Sequence, residues 1–385
     1  MILAKNEATL KTSDSVVRTK TELQARGVQI PPELIDELEE SYNAPAVRTG
    51  RIVFCLKSPV NNEEMIPAFI VNGKRVETSP LHLVRSRPGK YEVWADNDKY
   101  TDVTLLPHPG FYDRFTSDGV PLYKLAVIVG LGHLRSVINQ RCHYYQIGKP
   151  CQFCAVQHWW NANTEKASSE IADAVEAGVK EGMVQHVSLT TATLGTRDKG
   201  LQGLVETAQL IQSRVKVPLM LEFEPIADYA LLGSLLKEAE QAGVTTVSCN
   251  IECFDENLRL KVMPMKGMIP VTTYLKTWEK CLDIFGKNEV FTVVIAGIGE
   301  EDESILRGIA MAASHDVMTF LVPHSPAIGA AYEDMSAPTA DRMLSLYEQA
   351  VAIYERCGLD LCVSRAGCVH GGGFSAIKDV ARFGV

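Results

Sequence analysis

The segment CHYYQIGKPCQFCAV, residues 142–156, carries three cysteines in the spacing C-x8-C-x2-C. They are Cys142, Cys151 and Cys154, and Phe153 directly precedes the last of them. Thiolates are the ligands that zinc and iron–sulfur clusters commonly take in proteins. Three of them so close in the chain predict a site for one of these two groups.

The number of cysteines in this segment does not by itself distinguish a zinc site from an iron–sulfur cluster site. A structural zinc ion normally takes four nitrogen or sulfur ligands, and His143 or His158 could supply the fourth. Three thiolates alone better suit a [4Fe–4S] cluster in which one iron keeps an open position for a ligand that is not protein. Both alternatives stay open at this point. His158, Trp159 and Trp160 follow the segment and would cover a bound group from water.

Beyond residue 120 the chain alternates apolar, strand-like runs with amphipathic helical runs. Several of the helical runs end in glycine, which is typical of a helix C-terminus. Regular alternation of this kind predicts a parallel sheet covered by helices. Six units favour an α/β fold with a partial (βα)6 barrel over a full eight-stranded one, although a doubly wound open sheet would give the same pattern. The predicted strands are residues 123–130, 185–192, 218–224, 245–252, 290–297 and 318–323.

Side-chain parity along two of these strands predicts a polar barrel interior. Successive strand residues point to opposite faces of a sheet. In PLMLEFE, residues 218–224, the leucines and phenylalanine share one face, so Glu222 and Glu224 face the interior. In SCNIEC the helix layer accepts the cysteines and isoleucine more readily than a carboxylate, which turns Asn250 and Glu252 inward. This pattern predicts a binding cavity, with Glu222 and Glu224 as candidate catalytic residues.

Composition and charge exclude several classes of protein. Hydrophobic residues make up 46% of the 385, which is ample for a folded core. The net charge of −9, without basic runs, argues against a nucleic-acid partner. No apolar run has the length of a signal-peptide core or a membrane span, which predicts a soluble, cytoplasmic protein with no membrane partner. In that compartment the ten cysteines are expected as thiols or metal ligands rather than disulfides.

The chain is predicted to divide into three parts. Residues 1–120 begin with helix-like sequence and continue as the short alternating runs RIVFCLKS, AFIVNGKRV and YEVWADNDKYTDVTLL, which indicate a small β-rich domain. The NG pair at 72–73 and the residues at 96–98 stand where hairpin turns are expected. Residues 121–356 hold the predicted barrel, and residues 357–385 form a cysteine-containing extension.

The three cysteines after the first strand, the aromatic residue before the last cysteine and the run of βα units resemble the radical S-adenosylmethionine (SAM) superfamily, over roughly residues 120–385. Within it the chain looks like the biotin synthase and lipoyl synthase branch, although its first gap of eight departs from the commonest family spacing, C-x3-C-x2-C. The resemblance implies a [4Fe–4S] cluster on Cys142, Cys151 and Cys154, with SAM on its open iron. It also implies a 5′-deoxyadenosyl radical that takes hydrogen from an unactivated carbon, and an electron donor such as ferredoxin or flavodoxin.

The same resemblance implies residues that contact SAM. NIE at 250–252 is similar to the N-x-D/E of biotin-synthase-like members, whose strand contacts the ribose, and VVIAGIGEEDES at 293–304 is similar to the glycine motif beside the adenine. SLTTATLG at 188–195 stands where the family usually carries Gly-Gly-Glu for the methionine amine, and its residues differ from that pattern. Arg259 is the implied partner of a carboxylate. The full implied set is Phe153, Thr190, Thr191, Asn250, Glu252, Arg259 and Gly297.

A second group of cysteines, Cys357, Cys362 and Cys368, has the spacing C-x4-C-x5-C. It resembles the motif by which lipoyl synthases hold an auxiliary [4Fe–4S] cluster that they use as a sulfur donor. The resemblance implies sulfur insertion into an octanoyl chain on a lipoyl-carrier protein, with a second radical SAM enzyme as a further partner. The candidate fourth ligands are Ser364, Ser375 and His370.

Two alternatives to sulfur insertion stay open. In the first alternative, Cys357, Cys362 and Cys368 bind no common group and are ordinary side chains, since free cysteine is among the most buried residue types. The chain is then a one-cluster lyase, mutase or methylase of the same superfamily. The second is a non-enzymatic zinc protein, against which the polar barrel interior argues. Gly371, Gly372 and Gly373, which follow Cys368, predict a close backbone approach or a tight turn.

Overall fold

The computed structural model describes residues 15–43, 47, 50–61, 63–158 and 165–385. Two sheets hold its described strands, an antiparallel sheet near the N-terminus and a larger, mostly parallel sheet that follows it. Among the described helices, none is both long and apolar enough to cross a bilayer.

The N-terminal sheet contains five of the described strands, and two helices precede it. Helix α1 begins after Ser15, whose side chain accepts a hydrogen bond from the Arg18 N–H, and α2 begins with Pro32, where the missing N–H is tolerated. The apolar side chains of the helices and strands share one core. The bounds are α1 (Val16–Arg26), α2 (Pro32–Ser41), β1 (Arg51–Lys57), β2 (Met65–Val71), β3 (Leu81–Arg87), β4 (Lys90–Ala95) and β5 (Asp98–Leu105). Their antiparallel order is β2-β1-β5-β4-β3.

One of the two predicted hairpin turns is present. Strands β4 and β5 pair around Asp96, which takes the left-handed conformation (φ 52°) common in two-residue turns. The prediction at Asn72-Gly73 was wrong, because a 3-10 helix over Lys74–Thr78 follows β2 instead of a strand. The Asn72 side chain bonds the N–H and the carbonyl of Val28, both at 2.8 Å, and so fastens β2 to the segment after α1.

The larger sheet is a curled half barrel, and the predicted α/β fold with a partial (βα)6 barrel is confirmed. Its described strands are β6 (Val127–Gly130), β7 (His133–Val137), β8 (His186–Thr190), β9 (Leu219–Phe223), β10 (Val244–Cys249), β11 (Val290–Ala296) and β12 (Met318–Pro323). Strands β7 to β12 are parallel and adjacent in chain order. The helices that follow them are α4 (Ser168–Lys180), α5 (Leu201–Arg214), α6 (Tyr229–Gln241), α8 (Val271–Phe285), α9 (Asp302–Ser314) and α10 (Ala340–Cys357). Short helices α3 (His143–Gln146), α7 (Glu256–Val262), α11 (Gly367–Gly371) and α12 (Ile377–Phe383) complete the set.

The first parallel strand differs from the prediction. Residues 123–130 were expected to form it, but β6 pairs antiparallel with β7 as an edge strand, and β7 begins the parallel series. The two strands join at Gly132, whose φ of 63° suits glycine. A side-chain carbon at this position would lie 2.9 Å from Gln185. A tight turn therefore splits one apolar run into two strands.

Outward-facing strand residues form the core between the sheet and its helices. Leu219, Leu221 and Phe223 of β9 are buried there together with Val187 and Leu189 of β8. Burying their apolar surface favours the layered arrangement by about 25 cal/mol per Å². The opposite face of the same strands is free to carry polar groups.

The segment after α10 closes the base of the barrel, where the strands begin. The Gly367 N–H lies 3.2 Å from His186 Nδ1, and the Ser375 hydroxyl donates to the Leu321 carbonyl at 2.5 Å. A side-chain carbon at Gly371 would lie 2.8 Å from His133 Nδ1. The predicted close approach of the glycine run is thus present, and it packs backbone against the sheet.

The same segment also contacts the N-terminal part of the chain. Lys20 of α1 donates to the Gly372 carbonyl (2.7 Å) and pairs with Asp379 of α12 (2.6 Å). Both Gln24 and the Phe69 N–H donate to the Gly373 carbonyl at 2.8 Å. The segment therefore joins the N-terminal helix and sheet to the barrel.

Candidate active site

The cysteine segment forms a loop at the carboxyl end of β7. Cys142 directly precedes α3, whose first residue, His143, donates its N–H to the Thr193 carbonyl at 2.8 Å. The Gln152 N–H donates to the Val262 carbonyl at 2.8 Å. The Tyr145 hydroxyl donates to the Cys154 carbonyl. These bonds hold the loop against the chain that follows β8 and against α7.

All three thiols of this loop act on one side chain, Tyr145. Burial first, and then the charges of Cys154, Cys142 and Cys151, raise the pKa of Tyr145. Burial also raises the pKa of Cys154 to about 11 and that of Cys151 well above its ordinary value. Among the described residues, no three His, Cys, Asp or Glu side chains are arranged to hold a metal ion. Cys151 and Cys154 are thus protonated thiols, and a thiol loses its proton when it binds a metal.

A cavity of about 400 Å³ opens beside this loop, inside the barrel. Its size falls in the range of small-molecule sites. Phe153 and Cys154 form one wall, and Phe69 and Arg51 of the N-terminal sheet form another. The remaining side chains are mostly apolar, with a few polar groups among them. The apolar set includes Val127, Val129, Val137, Val293, Ile295, Phe320, Val322 and Phe374.

A row of hydrogen-bonded polar groups crosses this cavity. Arg135 of β7 pairs with Glu222 of β9 at 2.8 Å, and the Asn250 amide donates to the other Glu222 oxygen at 2.5 Å. The Asn250 oxygen accepts from the Ser248 hydroxyl (2.6 Å) and the Val293 N–H (3.1 Å). Because every member has a partner, the row is held in one orientation. It presents a cation, a carboxylate and an amide to any molecule in the cavity.

Glu252 reaches the same cavity from a strained backbone. Its φ is 67°, a conformation that non-glycine residues rarely adopt and that is found mostly where function requires it. Its N–H donates to Val293 and its carbonyl accepts from Ile295, both at 2.9 Å, so the strand bridge holds the conformation in place. Lys266 pairs with its carboxylate at 3.0 Å. Burial lowers the pKa of Lys266, but Glu252, Tyr274, Glu224 and Cys151 together outweigh burial and raise the pKa well above its ordinary value.

Comparison with known proteins finds a family resemblance for part of the barrel. Residues 137–309 match the family model of the Radical SAM superfamily. The match covers less than half of the chain, and it includes the loop with Cys142, Cys151 and Cys154. No curated protein matches the chain.

The solved structures that are similar to part of this chain include two that share little sequence with it. Methylornithine synthase (PylB) is 14% identical, with 64% of this chain and 71% of that chain covered and a TM-score of 0.45. HydG, a maturase of the [FeFe]-hydrogenase, is 12% identical, with 61% and 52% covered and a TM-score of 0.44. The predicted place in the biotin synthase and lipoyl synthase branch stays a prediction.

The superfamily that residues 137–309 match implies a [4Fe–4S] cluster and SAM, and the residues present fit both. Cys142, Cys151 and Cys154 form a donor set of three thiols on one loop, as a cluster with an open iron requires. The cavity that begins at Cys154 contains the mixed charges that an amino acid and a sugar need. Cys142, Cys151 and Cys154 would hold the cluster, which supplies the electron that cleaves SAM.

The other predicted residues of the radical SAM site fall into two groups. Phe153, Glu222, Asn250 and Glu252 line the cavity. Glu224 lies outside its walls and is buried, where it accepts hydrogen bonds from Tyr144 (2.6 Å), Thr193 (2.7 Å) and Lys199 (2.5 Å). Burial raises the pKa of Glu224, but interactions that include Lys199 and Lys266 lower it by more. The pKa is therefore below its ordinary value, and the carboxylate stays charged.

Thr190, Thr191, Arg259 and Gly297 also lie outside the walls of the cavity as described. Thr190 is buried opposite Glu222, and the Thr191 hydroxyl donates to the Ala192 carbonyl at 3.1 Å. Arg259 is fully buried, donates to the Lys266 and Ile269 carbonyls and stacks 4.8 Å from the Tyr274 ring centre. Gly297 has a φ of 97°, and a side-chain carbon there would lie 2.8 Å from Pro338. Trp159 and Trp160 lie outside the described residues.

The three C-terminal cysteines, all in the described part of the chain, lie in different environments. Cys368 lines the cavity, and its sulfur accepts from Arg135 at 3.4 Å. Burial raises the pKa of Cys368 to about 11. Cys357 is half-buried at the end of α10, where its carbonyl accepts from Lys287, and Cys362 is exposed. Each proposed fourth ligand is hydrogen-bonded to a backbone carbonyl. The Ser364 hydroxyl bonds Ala366, the Ser375 hydroxyl bonds Leu321, and the His370 ring bonds Ser364.

The cavity also contains residues that the sequence did not single out. Arg135 was missed because the strand that carries it was placed too early in the chain. An arginine within the strand HLRSV, residues 133–137, on the face opposite the buried Leu134, is the signal that could have found it. Gln24, Arg51 and Phe374 come from distant segments and carry no local signal.

Proposed function

We propose that this chain is a one-cluster radical SAM enzyme that takes a hydrogen atom from an unactivated carbon of a small substrate inside the barrel. The observation that supports it is the shared cavity. Phe153 and Cys154 of the cluster loop, the Arg135–Glu222 pair and Asn250 all line one cavity. A radical formed at the loop would meet a substrate held at the polar row without leaving the protein.

The chain's own residues orient the reactants and exclude water. Glu222 accepts from Arg135 and Asn250, which leaves its remaining lone pairs for an ammonium or hydroxyl group of a ligand. The apolar side chains around this row keep water from the radical and strengthen the polar contacts. Such an arrangement suits a small molecule with both a polar and an apolar part. A plain alkyl chain would leave the polar row without a partner.

Sulfur insertion is the second candidate function, and Cys368 in the cavity wall is the observation that favours it. An auxiliary cluster there would bring sulfide next to the substrate carbon and give a lipoyl synthase-like reaction on an octanoyl group of a carrier protein. Two observations argue against it. Cys362 is exposed and Cys357 lies at the end of α10, so neither lines the cavity as described.

Two triple variants with equal numbers of cysteines removed distinguish the candidates. The wild type, Cys142/Cys151/Cys154→Ala and Cys357/Cys362/Cys368→Ala would be reconstituted without oxygen and assayed for iron, sulfide, zinc and 5′-deoxyadenosine. The one-cluster proposal expects about four irons per chain in the wild type and the second variant, and none in the first. The first variant would also lose cleavage of SAM.

Two other outcomes would overturn this proposal. About eight irons that fall to about four in the C-terminal variant would establish a second cluster and favour sulfur insertion. Bound zinc with neither iron nor cleavage of SAM would favour the zinc protein.

A further inference from the structure

We propose that the Cys368 thiol is a catalytic hydrogen-atom donor, which returns hydrogen to the substrate radical inside the cavity. This inference rests on the proposed function, since it needs a carbon radical to receive the hydrogen. It assigns to Cys368 a role in the chemistry of the first cluster and requires no second one.

The position of Cys368 is the first support. Its sulfur lies in the wall of the same cavity as Cys154, at the far end of the row that contains Arg135 and Glu222. The preceding residue, Gly367, has a φ of 89° and packs directly against Met220 of β9. A side chain at Gly367 would have no room, so the backbone before Cys368 lies directly on β9, and the contact of the Cys368 sulfur with Arg135 turns the sulfur toward the polar row.

The chemical state of the thiol is the second support. Cys368 is nine-tenths buried, burial raises the pKa of its thiol to about 11, and its sulfur accepts a long hydrogen bond of 3.4 Å from Arg135. The S–H bond is weaker than the C–H bond of an unactivated carbon. Hydrogen transfer from the thiol to a carbon radical is therefore favourable. Neither Glu222 nor Asn250 has a bond to hydrogen weak enough for this step.

The step balances with one further electron. The adenosyl radical takes a hydrogen atom from the substrate carbon, which gives 5′-deoxyadenosine and a substrate radical that rearranges. The S–H bond of Cys368 then breaks, a C–H bond forms in the product, and a thiyl radical remains. One electron from the low-potential reductant that feeds the cluster, with one proton from water, restores the thiol. Each turnover consumes one SAM and two electrons.

A deuterium experiment tests the donor without knowledge of the substrate. The reconstituted enzyme would be incubated with SAM and dithionite in D2O, where the thiol becomes S–D. Without substrate, the adenosyl radical would take its hydrogen from the nearest weak bond. We expect most 5′-deoxyadenosine from the wild type to carry one deuterium, and that from Cys368→Ser to carry none. Serine keeps a hydrogen bond to Arg135, but its O–D bond is too strong to donate. Cys362→Ala, which alters an exposed thiol nearby, should resemble the wild type.

The outcomes separate this inference from the proposed function. If 5′-deoxyadenosine forms without deuterium, or if the label persists in Cys368→Ser, Cys368 is not the donor while the radical SAM activity stands. If no 5′-deoxyadenosine forms in any variant, the proposed function itself fails and the inference fails with it.

Alkylation of the cysteines is a second test, and it does not depend on enzyme activity. Cluster-free protein with a native circular dichroism spectrum would be treated with iodoacetamide and digested for mass spectrometry. Cys368 lines a cavity, so it should react slowly but measurably, whereas Cys249 and Cys281 lie in the core and should not. If Cys368 stays as unreactive as these two, its thiol does not face the cavity and the proposal is overturned.

Discussion

Arg135 is the residue on which the polar row of the cavity depends, because it contacts both Glu222 and Cys368. The side chains of Arg135 and Glu222 are only 20% and 15% exposed, so water screens their attraction weakly. A carboxylate that loses such a partner is left charged in a poorly solvated place. The main effect of this pair on stability is therefore seen when one member is removed and the other is left charged without its partner.

We expect Arg135→Met to lower the free energy of unfolding by about 3 kcal/mol, because Glu222 stays charged but loses its arginine partner. Urea unfolding followed by circular dichroism would measure the loss. The double variant Arg135→Met/Glu222→Gln should recover most of it, since the charge is then absent as well. A double variant that loses the sum of the two single effects would contradict the coupling.

At the scale of elements, a cluster of histidines lies at the barrel base, where β7 and β8 begin and meet the segment over α11 and α12. His186 stacks on His133 with ring centres 4.4 Å apart and meets His370 edge-on at 4.6 Å. Burial, then His370 and Lys378, lower the pKa of His186 to about 3. Burial, then His186, Arg135 and His370, lower the pKa of His133 well below its ordinary value. The base of the barrel therefore holds neutral histidines.

This cluster predicts a loss of stability in mild acid. The unfolded chain binds a proton to histidine near pH 6.5, whereas the folded chain does so only far below it, so the unfolded state gains protons first as the pH falls. The free energy of unfolding should therefore drop between pH 7 and 5.5, approaching about 1.4 kcal/mol per pH unit for each such histidine. His186→Gln should reduce the slope, and His315→Gln, at an exposed site, should not. Equal slopes in all three proteins would exclude the cluster as the cause.

At the scale of the whole molecule, a buried ion pair joins the two ends of the described chain. Lys20 of α1 and Asp379 of α12 lie 2.6 Å apart, with side chains 0% and 7% exposed. Gln24 and Phe69 bond the same C-terminal segment, and Gln24, Phe69 and Phe374 all line the cavity. The N-terminal part is thus a wall of the candidate active site.

We expect Lys20→Met to lower the free energy of unfolding by about 3 kcal/mol, because Asp379 would be left buried without its cation. Arg18→Met removes a pair of the same length, Arg18–Asp341, whose side chains are 41% and 81% exposed. That control should cost less than about 1 kcal/mol. Urea unfolding of both variants would show the difference, and equal losses would mean that burial does not set the strength of the first pair.

The sequence predicted those parts of the molecule that depend on local periodicity. Strand parity is enough to turn Glu222 of β9 away from the helices, because successive residues of a strand alternate between faces. Asn250 and Glu252 also line the cavity, although both follow the last residue of β10. The same argument placed Glu224 in the interior, whereas the structure buries it in a separate network with Tyr144. Glu224 likewise follows the end of its strand, so its hydrogen-bond partners rather than alternation decide its position.

Local periodicity cannot predict the residues that reach the cavity from irregular or distant segments. The position of Cys368 depends on how the segment after α10 folds under the barrel, and Arg51 belongs to another sheet. The position of β7 was missed because one apolar run contains a turn at Gly132. Such contacts are set by tertiary packing, which a single sequence does not display.

The pairing of Lys20 with Asp379 spans 359 positions in the chain, which has a consequence for how the protein is made. A ribosome releases residues 367–379 after all the strands of the barrel, so a growing chain has its cysteine loop in place while the barrel base is still open. Long-range closure of this kind is slow, because a large loop must be ordered before its contacts form. The base of the barrel is therefore expected to close after the strands that it covers have left the ribosome.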